Sequence, residues 1–321
     1  MRTPKILVVG SFVMDLIVST SRFPESGETV LGLSFQTAPG GKGANQAVQA
    51  ARLGAQVTMV GKVGKDAFGD TLLQSAAASG VDLSYVARSD KFPSAVGNVQ
   101  LEVKDGESAN RIIVVSGANM DITLEDIAFL KEKIADYDLI MLQLEIPMEI
   151  NVQVAKWAKA KGVPVMLNSA PIAPIPDELL QCLTYISPNE HEAKILTGHP
   201  VETDADIETA IVRMQSMGVE NALITLGERG VAYAGKDGKV LFSPAVRGIQ
   251  VTDTTAAGDS FVGAFCTAVC RGLAMEHALC FANHTAAITV SRMGAMPSLP
   301  VFDEVLALMK ERGVDTGIYQ A

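Results

Sequence analysis

Two glycine-rich turns, each running straight into a helix-forming stretch, are the places where this chain could hold an anion. The first is Gly40-Gly41-Lys42-Gly43-Ala44-Asn45-Gln46, followed by Ala47–Leu53. Glycines let backbone approach a ligand closely, and a helix start offers unpaired N–H groups. The turn is not a Walker A loop, because Gly43 stands where Ser or Thr must follow the lysine. Nor is it a dinucleotide fingerprint, because Gln46 takes the last glycine position. It is either a ligand-facing turn or a plain tight one. The second is Asp253-Thr254-Thr255-Ala256-Ala257-Gly258-Asp259-Ser260-Phe261. Here Asp259 falls in the first turn of a helix, either as an N-terminal capping acid or as a general base held against a bound anion.

Three further polar positions stand out against apolar surroundings. Asp15 interrupts Phe12-Val13-Met14-Asp15-Leu16-Ile17-Val18, so it lies on the wet face of an edge strand or is aimed at a polar ligand. Glu145 ends the strand-like run Leu139–Leu144, on the side where α/β proteins bind ligands. Asn189 and Glu192 form an N-x-x-E spacing at a helix start, just after Ser187-Pro188. His191, His199, His277 and His284 show no zinc-ligand spacing and read as surface or capping residues.

The elements that must position these groups alternate. Leu139–Leu144, Val163–Leu167, Tyr185–Ile186 and Ala222–Leu226 read as strands buried on both faces. Thr123–Ile134, Glu149–Lys161 and Ala205–Met217 carry apolar residues at helical spacing. This pattern predicts an α/β fold: a doubly wound, mostly parallel sheet with helices on both faces. The C-terminal third is helical, over Gly258–Gly272, Glu276–Arg292 and Phe302–Arg312. Two stretches break the alternation with turns between extended runs: Val13–Thr37, through Pro24-Glu25-Ser26-Gly27-Glu28, and Ala95–Ser116, through Lys104-Asp105-Gly106-Glu107. They predict a small β-sheet lid, residues 13–37 and 95–116, beside a body of residues 1–12, 38–94 and 117–321.

Composition narrows the function. With 26 Lys+Arg against 36 Asp+Glu the net charge is −10, so nucleic acid is not an expected partner. Aromatics make up 5%, too few for a base-stacking platform. The longest largely apolar run, Phe261–Cys270, is too short to span a bilayer, and the start of the chain lacks a signal-peptide pattern. Cys182, Cys266, Cys270 and Cys280 form no C-x-x-C pair and read as reduced thiols, so a cytoplasmic protein is expected, with no membrane partner.

Taken in order, the Gly40–Ala47 turn, Pro188-Asn189-Glu190, Thr225-Leu226-Gly227-Glu228-Arg229-Gly230 and Asp253–Asp259 resemble the ribokinase family of carbohydrate kinases, from about Lys5 to about Ser298. Gln143-Leu144-Glu145 and the exact form of the first turn point to members acting on ribose. The resemblance implies ATP-dependent phosphorylation of D-ribose, or a related pentose, at its 5-hydroxyl, with a β-sheet lid that clasps a second subunit's lid in a homodimer. It implies sugar contacts at Asp15, Gly41, Lys42, Gly43, Asn45 and Glu145, with Val13 beside them and Asp259 as catalytic base. Nucleotide contacts would come from Asn189, Thr225, Gly227, Gly230, Ala257, Gly258 and Asn283. N–H groups from Ala256 to Asp259 would form the anion hole, and Lys42 would add positive charge. A monovalent cation, potassium, would sit by Asp253, Thr255, Thr289, Arg292, Gly294 and Ser298, several of them through backbone carbonyls. Magnesium would be held mainly through water near Asn189 and Glu192.

One position departs from the family. Members acting on ribose usually carry Asn two residues before the sugar-binding Asp, and this chain has Val13. A weak or inverted preference for ribose over 2-deoxyribose follows as an expectation. Rival readings are a kinase for another sugar or a nucleoside and, from a different class, a sugar-binding regulator with an inactive site. The intact Gly258-Asp259 pair counts against the regulator, and the missing G-x-G-x-x-G counts against a dehydrogenase.

Overall fold

A computed structural model describes residues 2–104 and 107–320. The apolar run Ile6–Val9 forms β1 (Lys5–Val9) at the heart of a nine-stranded sheet. The chain then makes β2 (Val13–Thr20), β3 (Ser34–Gly40), β4 (Gln56–Gly64), β5 (Asp82–Ser89), β6 (Ala95–Lys104) and β7 (Glu107–Val115). Next come β8 (Leu139–Gln143), β9 (Val165–Asn168), β10 (Tyr185–Ile186), β11 (Asn221–Thr225), β12 (Val231–Ala234) and β13 (Val240–Ser243). The large sheet runs β13-β12-β11-β10-β9-β8-β1-β4-β5, with every pair from β11 to β5 parallel and β12 and β13 antiparallel at one edge. The expected doubly wound sheet is thus present.

Alternation along the central strands feeds two separate cores. Ile6, Val8, Leu139 and Met141 face one side, where the helices Lys42–Arg52, Ala257–Cys270, Met275–Val290 and Phe302–Glu311 pack. Leu7, Val9, Ile140 and Leu142 face the other, covered by Met148–Ala160 and Asp204–Ser216. Strands buried on both faces need apolar residues at every position, hence their unbroken apolar runs.

Because the chain starts at β1 and winds first towards β5, then back through β8, the order reverses between β1 and β8. Loops leaving the C-terminal ends of those two strands therefore diverge and leave a crevice, into which Gly10-Ser11 and Leu144-Glu145 emerge.

The two expected hairpins form a second, four-stranded sheet in the order β3-β2-β6-β7, joined by the parallel pair β2–β6. β3 runs on to Gly40, past the expected boundary at residue 38. Asp105 and Gly106 of the second expected turn lie outside the described residues. The helix expected over Thr123–Ile134 is instead two short helices, Leu124–Ile127 and Leu130–Lys133, followed by a 3₁₀ turn. Ala128, Lys131 and Glu132 donate three residues back, which tightens the backbone between them. Phe129, at that joint, is stacked on Tyr85 with ring centroids 4.0 Å apart. Helical periodicity could not reveal this tertiary contact.

Candidate active site

Gly41, at φ +98°, starts the Lys42–Arg52 helix and has no side chain to cap it. The missing cap comes from across the sheet: Glu145 accepts the Lys42 N–H at 3.0 Å with Oε2. The same oxygen accepts the Ser11 hydroxyl, and Ser11 Oγ accepts the Gly43 N–H at 3.3 Å. An acid at a helix start is favoured by the free N–H groups and the dipole. Glu145 Oε1 makes no hydrogen bond to the protein among the described residues. A β-carbon on Gly43 would lie 2.5 Å from the Ser11 nitrogen, so only glycine lets this helix reach the β1 loop.

Asp15 sits mid-strand on β2, opposite Ala38 on β3 and Gly97 on β6. A side chain at Gly97 would collide with the Asp15 carboxylate. Burial, and then the charges of Glu145, Asp253 and Asp259, push Asp15 up to about 7. Because β2 lies between β3 and β6, Asp15 is not on an edge strand, and the wet-edge alternative is set aside. Val13, 5% exposed, lies two residues earlier on the same strand face.

Asp259 lies in the first turn of the Ala257–Cys270 helix and is 5% exposed. Its carboxylate caps no backbone among the described residues; Oδ2 accepts Asn45 Nδ2 at 2.8 Å and Oδ1 accepts Gln46 Nε2 at 3.1 Å. Asn45 Oδ1 is buried without a partner. The helix begins at Ala256, in the left-handed region at φ 60°, the only non-glycine residue so placed among the described ones. That conformation costs about 1–2 kcal/mol. The anion hole expected from Ala256 to Asp259 needs one correction: the Ala257 N–H is already donated to Thr254 O at 3.2 Å. Ala256, Gly258 and Asp259 donate theirs to no protein acceptor among the described residues.

A cavity of about 170 Å³ lies beside Lys42 and Asp259; Val13, Asp15, Gly41, Gly43, Asn45 and Glu145 are not among the residues that line it. Of the expected residues, Lys42, Asn189, Glu192, Thr225, Ala256, Ala257, Gly258 and Asp259 line it. Asn168, Ser187 and Thr254 also line it and were not singled out in the sequence. Burial alone would depress Lys42, but Asp259, Glu145 and Glu192 around it raise it instead. Its ammonium is therefore firmly charged. Asn189 and Glu192 form a capping box, Asn189 Oδ1 accepting the Glu192 N–H at 2.8 Å and Glu192 Oε2 accepting the Asn189 N–H at 2.9 Å. Burial raises Glu192, against the pull of that N–H and of Lys42.

Gly227, Gly230 and Asn283 do not line this cavity. Asn283 instead tethers a loop, with Nδ2 donating to Pro244 O at 3.0 Å and to Ser243 O and Oγ at 3.2 and 3.1 Å. Gly230, at φ +99°, packs under the same Ser243–Ala245 loop. Gly230 and Asn283 thus meet the same loop.

Asp253 draws the candidate cation segments together. Its Oδ1 accepts the Thr255 N–H and O–H at 2.9 and 2.6 Å, and Oδ2 accepts the Gly294 N–H at 2.9 Å. Thr289 and Ser298 are fully buried and donate to Thr285 O and Ala295 O at 3.1 and 2.7 Å. The Arg292 side chain pairs with Glu304 at 2.6 Å, leaving only its carbonyl for an ion. Asp253 thus holds Thr255 and Gly294 together, while the Thr289 and Ser298 hydroxyls and the Arg292 side chain are turned to other partners. Among the described residues no group of three His, Cys, Asp or Glu could hold a metal ion, so magnesium has no protein cage here. Glu192 Oε1, unused by the capping box, fits a contact through water. The four thiols are unpaired, and burial pushes Cys270 up to about 12. No helix among the described residues is long and apolar enough to cross a membrane.

The model of the pfkB family of carbohydrate kinases matches residues 3–301. The chain is 41% identical to the ribokinase of Bacillus subtilis, covering 95% of this chain and 99% of that one. It is 36% identical to the deoxyribokinase of Salmonella typhi, covering 94% and 99%. The structure of Arabidopsis thaliana ribokinase complexed with ribose and ATP superposes with a TM-score of 0.88 at 38% identity, covering 96% and 99%. The chain belongs to the pfkB family of carbohydrate kinases.

Proposed function

We propose that this chain transfers the γ-phosphoryl group of ATP to the 5-hydroxyl of D-ribose. The observation that carries the reading is the Asp259 carboxylate, clamped by Asn45 and Gln46 beside the Lys42 cavity and the free N–H groups of the Ala256–Asp259 turn. In the reaction the Asp259 carboxylate takes the proton of the 5-hydroxyl as its oxygen attacks the γ-phosphorus and ADP leaves. The N–H groups of Gly258 and Asp259 and the Lys42 ammonium face the charge that develops on the transferred group. Asp15, the free oxygen of Glu145 and the unpartnered Asn45 Oδ1 offer acceptors for sugar hydroxyls. Gly41, Lys42 and Gly43 bring backbone alongside. Asn189 and Thr225 lie on the nucleotide side, with Gly227, Gly230 and Asn283 further out. Asn189 and Glu192 would hold magnesium mainly through water, where it would supply charge neutralisation on the phosphates, and the Asp253 segment would hold potassium.

The sheet of β2, β3, β6 and β7 is the lid of this reading. Phe35, Ile112, Ile113, Val114 and Val115 are 50–65% exposed on it, apolar surface that a second copy's lid would cover. A homodimer is therefore part of the proposal. So is a cytoplasmic location, supported by the unpaired thiols.

A coupled ADP-release assay over a pentose panel tests the substrate. Ribose should give the highest kcat/KM; a hexose or nucleoside ahead of every pentose overturns the proposal. A second reading, 2-deoxyribose as substrate, is favoured by Val13, which sets a buried apolar surface beside Asp15 where an amide would serve a hydroxyl. One net hydrogen bond is worth about 0.5–1.5 kcal/mol, so Val13→Asn should raise the ribose-to-deoxyribose ratio about two- to tenfold. An unchanged ratio removes Val13 as the discriminating residue.

A further inference from the structure

Gln46 is the residue that breaks the glycine fingerprint of the first turn, and it is fully buried. So is Gln143, at the end of β8. Their amides form a chain that ends on Asp259. Gln143 Nε2 donates to Gln46 Oε1 at 2.7 Å. Gln46 Nε2 donates to Asp259 Oδ1 at 3.1 Å and to Asn168 Oδ1 at 3.3 Å. Asn168 Nδ2 donates in turn to Ser187 O at 2.9 Å.

Each bond removes a freedom. A lone glutamine amide beside a carboxylate could rotate and set its oxygen against the acid, with repulsion in place of attraction. Gln143 occupies the Gln46 oxygen, so both Gln46 N–H groups point towards Asp259 and Asn168. Asn168 is fixed the same way by Ser187. Close helix contact makes the reach possible: a β-carbon on Gly263 would lie 2.9 Å from the Gln46 carbonyl oxygen. Buried amides in a core that apolar side chains could fill are costly, and Gln143 Oε1 is left without a partner, so the network is not what the best-packed core would choose. Asn45 holds the other carboxylate oxygen, so two donors on two oxygens define the plane of the acid.

We propose that Gln46, oriented by Gln143 and Asn168, is a positioning residue that sets the plane of the Asp259 carboxylate for proton abstraction. The inference rests on Asp259 being the base. Gln46→Met keeps length and volume and removes both donors. It should lower kcat about 10- to 100-fold, the scale of a misplacement near 1 Å, with KM for sugar and ATP changed by less than about threefold. Gln143→Met leaves Gln46 in place but frees its amide. It should lower kcat in the same direction by less, and the Gln46→Met/Gln143→Met pair should be no slower than Gln46→Met alone.

Acting through Asp259 has a sharper signature. In an Asp259→Asn background, Gln46→Met should cost less than about twofold in kcat. Additive losses there, or parent kcat in Gln46→Met, overturn the inference and leave the amides a purely structural network. If Gln46→Met does not fold, Gln143→Met decides: a loss in kcat without a rise in KM supports positioning, and parent kcat or a matching rise in KM refutes it. Failure of the underlying reading is separate, because Asp259→Asn would itself keep more than a tenth of parent kcat.

Discussion

Sugar affinity should depend on pH through Asp15. Its carboxylate lies under the lid sheet with Glu145, Asp253 and Asp259 as like-charged neighbours, and burial followed by those charges raises it to about 7. Sugar hydroxyls need acceptors, so the binding-competent form is the ionised one. With a midpoint near 7, about a tenth of the protein is competent at pH 6 and about nine-tenths at pH 8. Apparent Kd scales with the inverse of that fraction, so ribose should bind about tenfold tighter at pH 8 than at pH 6. Calorimetric titration without ATP measures this directly. Asp15→Asn should flatten the profile and weaken binding at pH 8 by about 10- to 100-fold, the loss of a hydrogen bond to a charged group. Glu145→Gln should move the midpoint down only in part, because burial is the larger cause. The sign carries over to stability. A carboxyl raised in the folded state binds its proton there more tightly than in the unfolded chain, so its contribution declines as pH rises from about 4 to about 7. Saturating sugar should therefore raise Tm more at pH 8 than at pH 6. A flat or opposite dependence of Kd in the parent protein, or a slope that survives in Asp15→Asn, would refute the assignment of Asp15 as a charged acceptor.

Other outcomes test other parts of the site. Asp259→Asn should cut kcat by about 10²–10⁴ with nucleotide affinity largely kept, measured by single-turnover phosphorylation and ATP titration; near-parent kcat would leave Asp259 outside the chemistry. Potassium should raise activity well above that in a potassium- and sodium-free buffer of equal ionic strength, and equal rates would remove the cation from the Asp253–Gly294 junction. Backbone amides of β2, β3, β6 and β7 should gain hydrogen-exchange protection at saturating sugar, and unchanged protection would show that this sheet does not close. Gly97→Ala places a methyl against the Asp15 carboxylate and should raise KM for sugar about tenfold with a smaller change in kcat; parent KM would show that β6 yields at no cost.

What the sequence determined by itself was local or periodic. Apolar runs without alternation identified the parallel strands, because a strand covered on both faces has no wet side to mark. The small-residue turn before Phe261 marked a helix start that could face an anion, because unpaired N–H groups belong to every such start whatever packs around it. The ordered motifs carried the family. What tertiary structure decided was the use of each polar group. Asp259 reads in the sequence as a cap or a base; in the fold Asn45 and Gln46, on a helix from the other end of the chain, take its two oxygens, and it caps no backbone among the described residues. Glu145 looks like a plain strand-end acid, yet it caps a helix whose own first residue, Gly41, cannot. Ala257 looks like one more donor of the anion hole, but its N–H turns back to Thr254. Asn283 and the Arg292 side chain are drawn away to a loop and to Glu304. Periodicity and turn chemistry depend on neighbours a few residues away. A side chain's hydrogen-bond partner depends on which distant element the fold brings within 3 Å, and no local pattern encodes that distance.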